Sequence, residues 1–140
     1  MYYVNQEQIS ARLAEIPQIS EALRELYGNW RGTALEGLAQ ERCLHLAIEI
    51  VTDVGSYLID GFIMRDASSY EDIIDITGAE GVFSEQLRDN LIQLVKLRKP
   101  IVQDYYSWPR AELHHLTGQL SDWLEDYKTA VEHYLIRELA

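Results

Sequence analysis

The sequence predicts an all-α fold, an up-and-down bundle of four to five helices. Three observations carry that prediction. Apolar residues recur every three or four positions along most of the chain. Asn, Thr and Ser stand at cap positions ahead of those runs, and no segment alternates apolar and polar residues as a half-buried strand would. At 140 residues, 47% of them hydrophobic, the chain can bury one core and is short for two, so residues 1–140 are expected to form a single domain.

Asn5 is placed to cap a first helix, with Gln8 in the capping-box position. Ile9, Leu13, Ile16, Ile19, Leu23 and Leu26 form its stripe, and Pro17 interrupts it; one bent helix ending near Tyr27-Gly28 is expected. Thr33 caps the longest helix, which reaches about Phe62 on a stripe of Leu35, Leu38, Leu46, Ile50, Val54 and Leu58. A second row on it, Arg42, His45, Glu49, Asp53 and Tyr57, shares one face. Such a row is either solvated or looks into a cleft with the stretch around Arg98. Ser68 with Glu71 reads as a capping box opening a short helix through Ile73, Ile74 and Ile76 to Gly78. Ser84 caps a helix with Leu87, Leu91, Leu94 and Val95 inward, running into Arg98. Ser107-Trp108-Pro109 is expected to start the last helix, with Pro109 in its first turn. Its stripe is Leu113, Leu116, Leu120, Trp123, Tyr127, Val131 and Tyr134, a near-heptad spacing that favours shallow crossing angles.

Charge narrows the partners. With 12 Lys+Arg against 23 Asp+Glu the net charge is −11, which repels a phosphate backbone over most of the surface. RNA binding would need a local basic patch, and Lys96, Arg98 and Lys99 form the best one. A protein partner with a basic face suits the charge better. No run of about 18 apolar residues occurs and the N-terminus lacks a signal-like pattern, so a cytoplasmic protein with no membrane partner is expected. Cys43 is the only cysteine; it rules out an intramolecular disulfide and is expected to be buried.

Metal and nucleophile chemistry find little support. A dimetal bundle needs two Glu-x-x-His pairs, and only Glu112-Leu113-His114-His115 supplies one. His45, Glu49 and Asp53 offer three ligands on one helix with no evident fourth. There is no Gly-x-Ser-x-Gly elbow. Neither a metal nor a cofactor is expected.

Between Leu97 and Tyr106 structure and chemistry compete for the same positions. On an unbroken helix Arg98 and Tyr105 would share a face, with Gln103 about 140° away. Pro100 lacks an N–H and disfavours helical geometry at Lys99, so a kink or irregular turn is expected, and it could swing residue 103 towards Arg98.

Arg98, four residues, Gln103, one residue, Tyr105 resembles the HEPN ribonuclease motif in its HepT form, which reads Arg, four residues, His, one residue, Tyr. Other blocks extend the likeness over roughly residues 1–135. Glu41 to Glu49 followed by Asp53-Val54-Gly55 is similar to the long second helix of HepT-like proteins. Gly61-Phe62-Ile63-Met64-Arg65-Asp66 with Ser69-Tyr70-Glu71-Asp72-Ile73 is similar to the YutE-like branch.

The resemblance implies a HEPN-like bundle that forms a homodimer, in which two motifs meet to make one composite, metal-independent RNA-cleaving site. It also implies the toxin of a type VII (MNT/HepT) toxin–antitoxin pair, with an MNT-like nucleotidyltransferase antitoxin that adds AMP to the motif tyrosine. Carried over, Arg98 holds the scissile phosphate, Gln103 occupies the proton-transfer position, and Tyr105 completes the motif as the AMPylation target; Asp53 and Glu49 would support them from behind. The sequence departs from the family at Gln103, where histidine is expected. An amide has no proton-transfer pKa near neutrality, whereas imidazole titrates there. The leading expectation is therefore a degenerate site acting through a partner or RNA. The alternatives are an active endoribonuclease using Arg98 and Tyr105, and a non-catalytic helical interaction module.

Overall fold

A computed structural model describes residues 2–140, and among these six α-helices and no strand are found. The first expected helix is two: α1 (Gln6–Leu13) and α2 (Ile16–Asn29). Pro17 lies in the first turn of α2, where its missing N–H removes no helical bond. The break therefore falls just ahead of the proline, at Ala14-Glu15. Asn5 does cap α1, accepting from the Gln8 N–H at 3.2 Å, but the Gln8 side chain accepts from Arg12 at 2.6 Å instead of closing the box.

The central helix α3 (Ala34–Gly61) opens on Thr33 with both halves of a capping box, Glu36 returning the bond. Leu44, Ile48, Val51, Val54 and Leu58 are fully buried along it. Leu35 and Leu38, expected on the same stripe, are exposed. At this end the inward face is Gly37 and Gln40, because backbone rather than side chains packs there. A Cβ at Gly37 would run into the Arg110 carbonyl.

Helix α4 (Tyr70–Ala79) is capped one residue later than expected: Ser69 accepts from the Asp72 N–H at 3.0 Å. Asp72, not Glu71, reaches back to accept from the Ser68 N–H, and it takes a two-point ion pair from Arg65 at 2.8 and 2.7 Å. Ser84 caps α5 (Glu85–Val95) as its sequence suggests.

Helix α6 (Thr117–Leu139) begins at Thr117 rather than at Pro109. The buried Gln40 amide supplies the reason. Its Nε2 donates to the Glu112 carbonyl (3.1 Å), and its Oε1 accepts from the His114 N–H (2.9 Å) and the Thr117 hydroxyl (2.6 Å). Those bonds hold residues 110–117 as turns against α3. Helix α3 forms the centre of the bundle, touching each of the other five helices, while α2 and α6 pair along much of their length. Tyr127 of α6, fully buried, donates its hydroxyl to the Val51 carbonyl at 3.3 Å.

One backbone position is strained. Ile63, just past the C-cap of α3, has φ of +54° and is 75% exposed. Glycine suits this place, and a β-branched residue there has a steric cost without compensating burial. Ile63→Gly is expected to stabilise the fold by about 1 kcal/mol, read as a higher denaturant midpoint; an unchanged or lower midpoint would mean that glycine's greater freedom in the unfolded chain offsets the steric relief.

Candidate functional site

The motif lies where helical geometry changes. Helix α5 stops at Val95, and Lys99–Gln103 forms a π-helical turn followed by a 3-10 turn, Tyr105–Ser107. Pro100 cannot donate a helical bond, and the wider turn is closed instead by the Asp104 N–H donating to the Lys99 carbonyl at 3.0 Å. A π turn brings residues five apart towards one face, so Gln103 comes round to the side of Arg98.

Both residues line one cleft of about 410 Å³ between this turn and the start of α4. Its cations are Lys96, Arg98 and Lys99, its one carboxylate is Glu71, and the first residues of α4 close it. Arg98 is half-buried, with its guanidinium carbon 4.2 Å from the centre of the Tyr70 ring. Its Nε is buried and has no hydrogen-bond acceptor. Gln103 is exposed, an amide able to donate and accept. Chemically, the cleft offers a planar cation, two lysines, a neutral hydrogen-bonding amide and one carboxylate: enough cationic charge to hold a phosphate, with an amide rather than an imidazole at position 103.

The remaining motif residue stands apart. Tyr105 does not line this cleft; it is 57% exposed, with its ring edge-on to Tyr106. The polar row of α3 faces α1 rather than the motif. Asp53 accepts from Arg12 at 3.1 Å, Arg12 also lies over the Tyr57 ring, and Glu49 pairs with His45 at 3.3 Å. Asp53 and Glu49 line a separate groove with Cys43, and neither carboxylate bonds to Arg98 or Gln103. The support expected from them is not made within one chain. Among the described residues no group of three or more His, Cys, Asp or Glu side chains is arranged to hold a metal ion.

On the other side of the motif turn, a second cleft of about 630 Å³ is lined by Pro100, Asp104, Tyr106, Trp108 and His114, among others. In it His114 stacks on Trp108 at 5.4 Å and on His115 at 4.4 Å. Only its return through the Gln40-bound turns puts it there, and no local pattern signals that. His114 does not replace the missing motif histidine. The Leu116 N–H donates to its Nδ1 at 3.1 Å, which assigns the proton of the neutral ring to Nε2, and it does not line the Arg98 cleft.

Burial, and then the neighbouring His115, hold the His114 pKa below its usual 6.5. The unfolded chain therefore takes up this proton first as pH falls. The stability due to the neutral ring is complete above about 6.5 and declines below it. Lowering pH from about 7.5 to about 5.5 is expected to reduce Tm more in the wild type than in His114→Gln; equal reductions would show that the ring titrates as it does in water.

The comparisons agree with the fold. A family model described as Ribonuclease HepT-like matches residues 12–135. A protein of Bacillus subtilis (strain 168) named "Putative RNase YutE" is 37% identical over 139 residues, spanning 99% of this chain and 95% of that one. The solved structure of YutE from Bacillus subtilis, described as a cytosolic protein of unknown function, superposes with a TM-score of 0.87 at 35% identity, covering 99% of this chain and 96% of that chain. A chain from a crystal structure of a toxin-antitoxin with AMP-PNP gives a TM-score of 0.76 at 17% identity, covering 88% of this chain and 96% of that one, a likeness of fold alone.

Proposed function

The chain belongs to the HepT-like ribonuclease family, and from that premise we propose that it engages RNA through the Arg98 cleft while lacking the proton-transfer residue needed to cut it. The observation that carries this reading is the shared cleft: Arg98 and residue 103 line the same space, and the side chain at 103 is an amide. Arg98 and the flanking Lys96 and Lys99 hold a phosphate, and Gln103 donates a hydrogen bond to it.

The rest of the family arrangement goes with this reading. Two copies form a homodimer that joins their motifs, and Asp53 and Glu49 support the motif across that dimer. The exposed phenol of Tyr105 is open to AMP transfer by an MNT-like nucleotidyltransferase. Such an antitoxin would present a basic face to a chain of net charge −11. A cytoplasmic location suits the relative described as cytosolic, and among the described residues no helix is long and apolar enough to cross a membrane. The alternative of a working, metal-independent nuclease uses the same cleft and is separated from this reading by cleavage, not binding.

Binding is tested with single-stranded RNA in chelator, comparing wild type with Arg98→Ala over a range of salt. Loss of one charge-assisted phosphate contact is expected to weaken binding about tenfold and to reduce the salt slope by about one. Equal affinities and slopes would remove the cleft from RNA recognition.

A further inference from the structure

We propose that Tyr70 is the residue that positions Arg98 for phosphate, by holding the guanidinium on its ring face so that the charge and the edge donors stay available. The proposal rests on reading the Arg98 cleft as the RNA-phosphate site, and it adds the element that makes the arginine usable.

Burial, rather than the lack of a carboxylate alone, sets Arg98 apart from the other arginines. In a chain with 23 acidic residues, Arg12, Arg65, Arg88, Arg110 and Arg137 each pair with a carboxylate, on Asp53, Asp72, Asp75, Glu41 and Glu138 respectively. Arg24, Arg31, Arg42 and Arg98 do not; the first three are exposed, whereas Arg98 is half-buried. Its guanidinium carbon is 4.2 Å from the centre of the Tyr70 ring, closer than the 5.1 Å of the other two arginine–ring contacts. Burial of Nε without an acceptor completes the pattern.

The two kinds of partner have opposite consequences. A carboxylate would occupy the guanidinium fork and cancel its charge, leaving little for a ligand. A ring face attracts the cation through its quadrupole and fixes the plane of the group, but takes up none of its N–H edge. Tyr70 therefore orders Arg98 without satisfying it.

The ring is itself held. Tyr70 is the first residue of α4, directly after the Ser69 cap, and the Arg65–Asp72 pair braces the same turn. The bonds from Arg65 and from the Ser68 N–H keep the Asp72 carboxyl far below the usual carboxylate range, so the brace is charged at neutral pH. Tyr70 is 45% exposed, so replacing it leaves the core untouched.

RNA binding in chelator, at fixed low salt and across a salt series, is compared for wild type, Tyr70→Phe, Tyr70→Leu, Arg98→Ala and the Tyr70→Leu/Arg98→Ala double variant. Tyr70→Phe keeps the ring and is expected to bind within about twofold of wild type, whereas Tyr70→Leu binds about three- to tenfold more weakly. The double variant binds no more weakly than Arg98→Ala alone, because Tyr70 acts through the arginine. The salt slope of Tyr70→Leu stays at the wild-type value, since the charge remains, while that of Arg98→Ala falls by about one. Wild-type binding by Tyr70→Leu, additive losses in the double variant, or failure of phenylalanine to rescue would each overturn the assignment. If Arg98→Ala binds as wild type does, the phosphate reading of the cleft fails; if Arg98→Ala is weakened and Tyr70→Leu is not, only the role of Tyr70 fails.

Discussion

Gln103→His is expected to raise metal-free RNA cleavage about 10²- to 10⁴-fold above wild type, the contribution that general acid–base catalysis commonly makes. The π turn already brings residue 103 to the Arg98 cleft, so an imidazole there faces a phosphate held by Arg98. Position 103 is exposed, so the new ring suffers little desolvation and titrates in the neutral range, with the nearby Arg98 and Lys99 favouring its uncharged form. The gain should show a pH dependence absent from wild type and disappear in Gln103→His/Arg98→Ala. Labelled RNA followed over time in chelator reads the effect directly. If Gln103→His binds RNA as wild type does yet leaves it uncut, the turn does not present residue 103 to the scissile phosphate.

Gln40→Leu should destabilise the fold by about 2–4 kcal/mol, because a buried apolar side chain would leave three polar partners without bonds. Those partners are the Glu112 carbonyl, the His114 N–H and the Thr117 hydroxyl, all now satisfied by one fully buried amide. The loss is read as a lower urea midpoint at an unchanged slope. A change under about 0.5 kcal/mol would match an ordinary surface substitution and mean that residues 110–117 are held in place by other contacts. Because those residues carry His114 to the second cleft, the variant should also free the ring that stacks on Trp108.

The predicted all-α class and most of the core could be read from the chain because burial follows helical spacing wherever side chain packs on side chain. Ile50, Val54, Leu58, Leu120, Tyr127 and Val131 sit where their periodicity puts them. The same rule fails at the start of α3, where Leu35 and Leu38 face solvent and the inward positions are Gly37 and Gln40. It fails again at Pro109, which would suit a first helical turn; a distant amide overrides that local preference, and α6 waits until Thr117. Ser68 and Ser69 are both good caps, and the choice went to Ser69 because Asp72 binds Arg65 and Ser68 together.

The motif was legible as a spacing, and Pro100 as the source of an irregular turn. The turn's π character, which puts Arg98 and Gln103 on one cleft and leaves Tyr105 outside it, was not. The pairing of Tyr70 with Arg98 is not legible for a related reason: the two lie on different elements, and a ring beneath an arginine leaves no mark in either local sequence.

The site is expected to hold RNA without cutting it. Wild-type protein and Arg98→Ala, each incubated with single-stranded RNA in chelator and resolved for both complex and product, test it most directly. Intact RNA in a complex that Arg98→Ala weakens is the expected result. RNA cleaved by wild type and left whole by Arg98→Ala would contradict it.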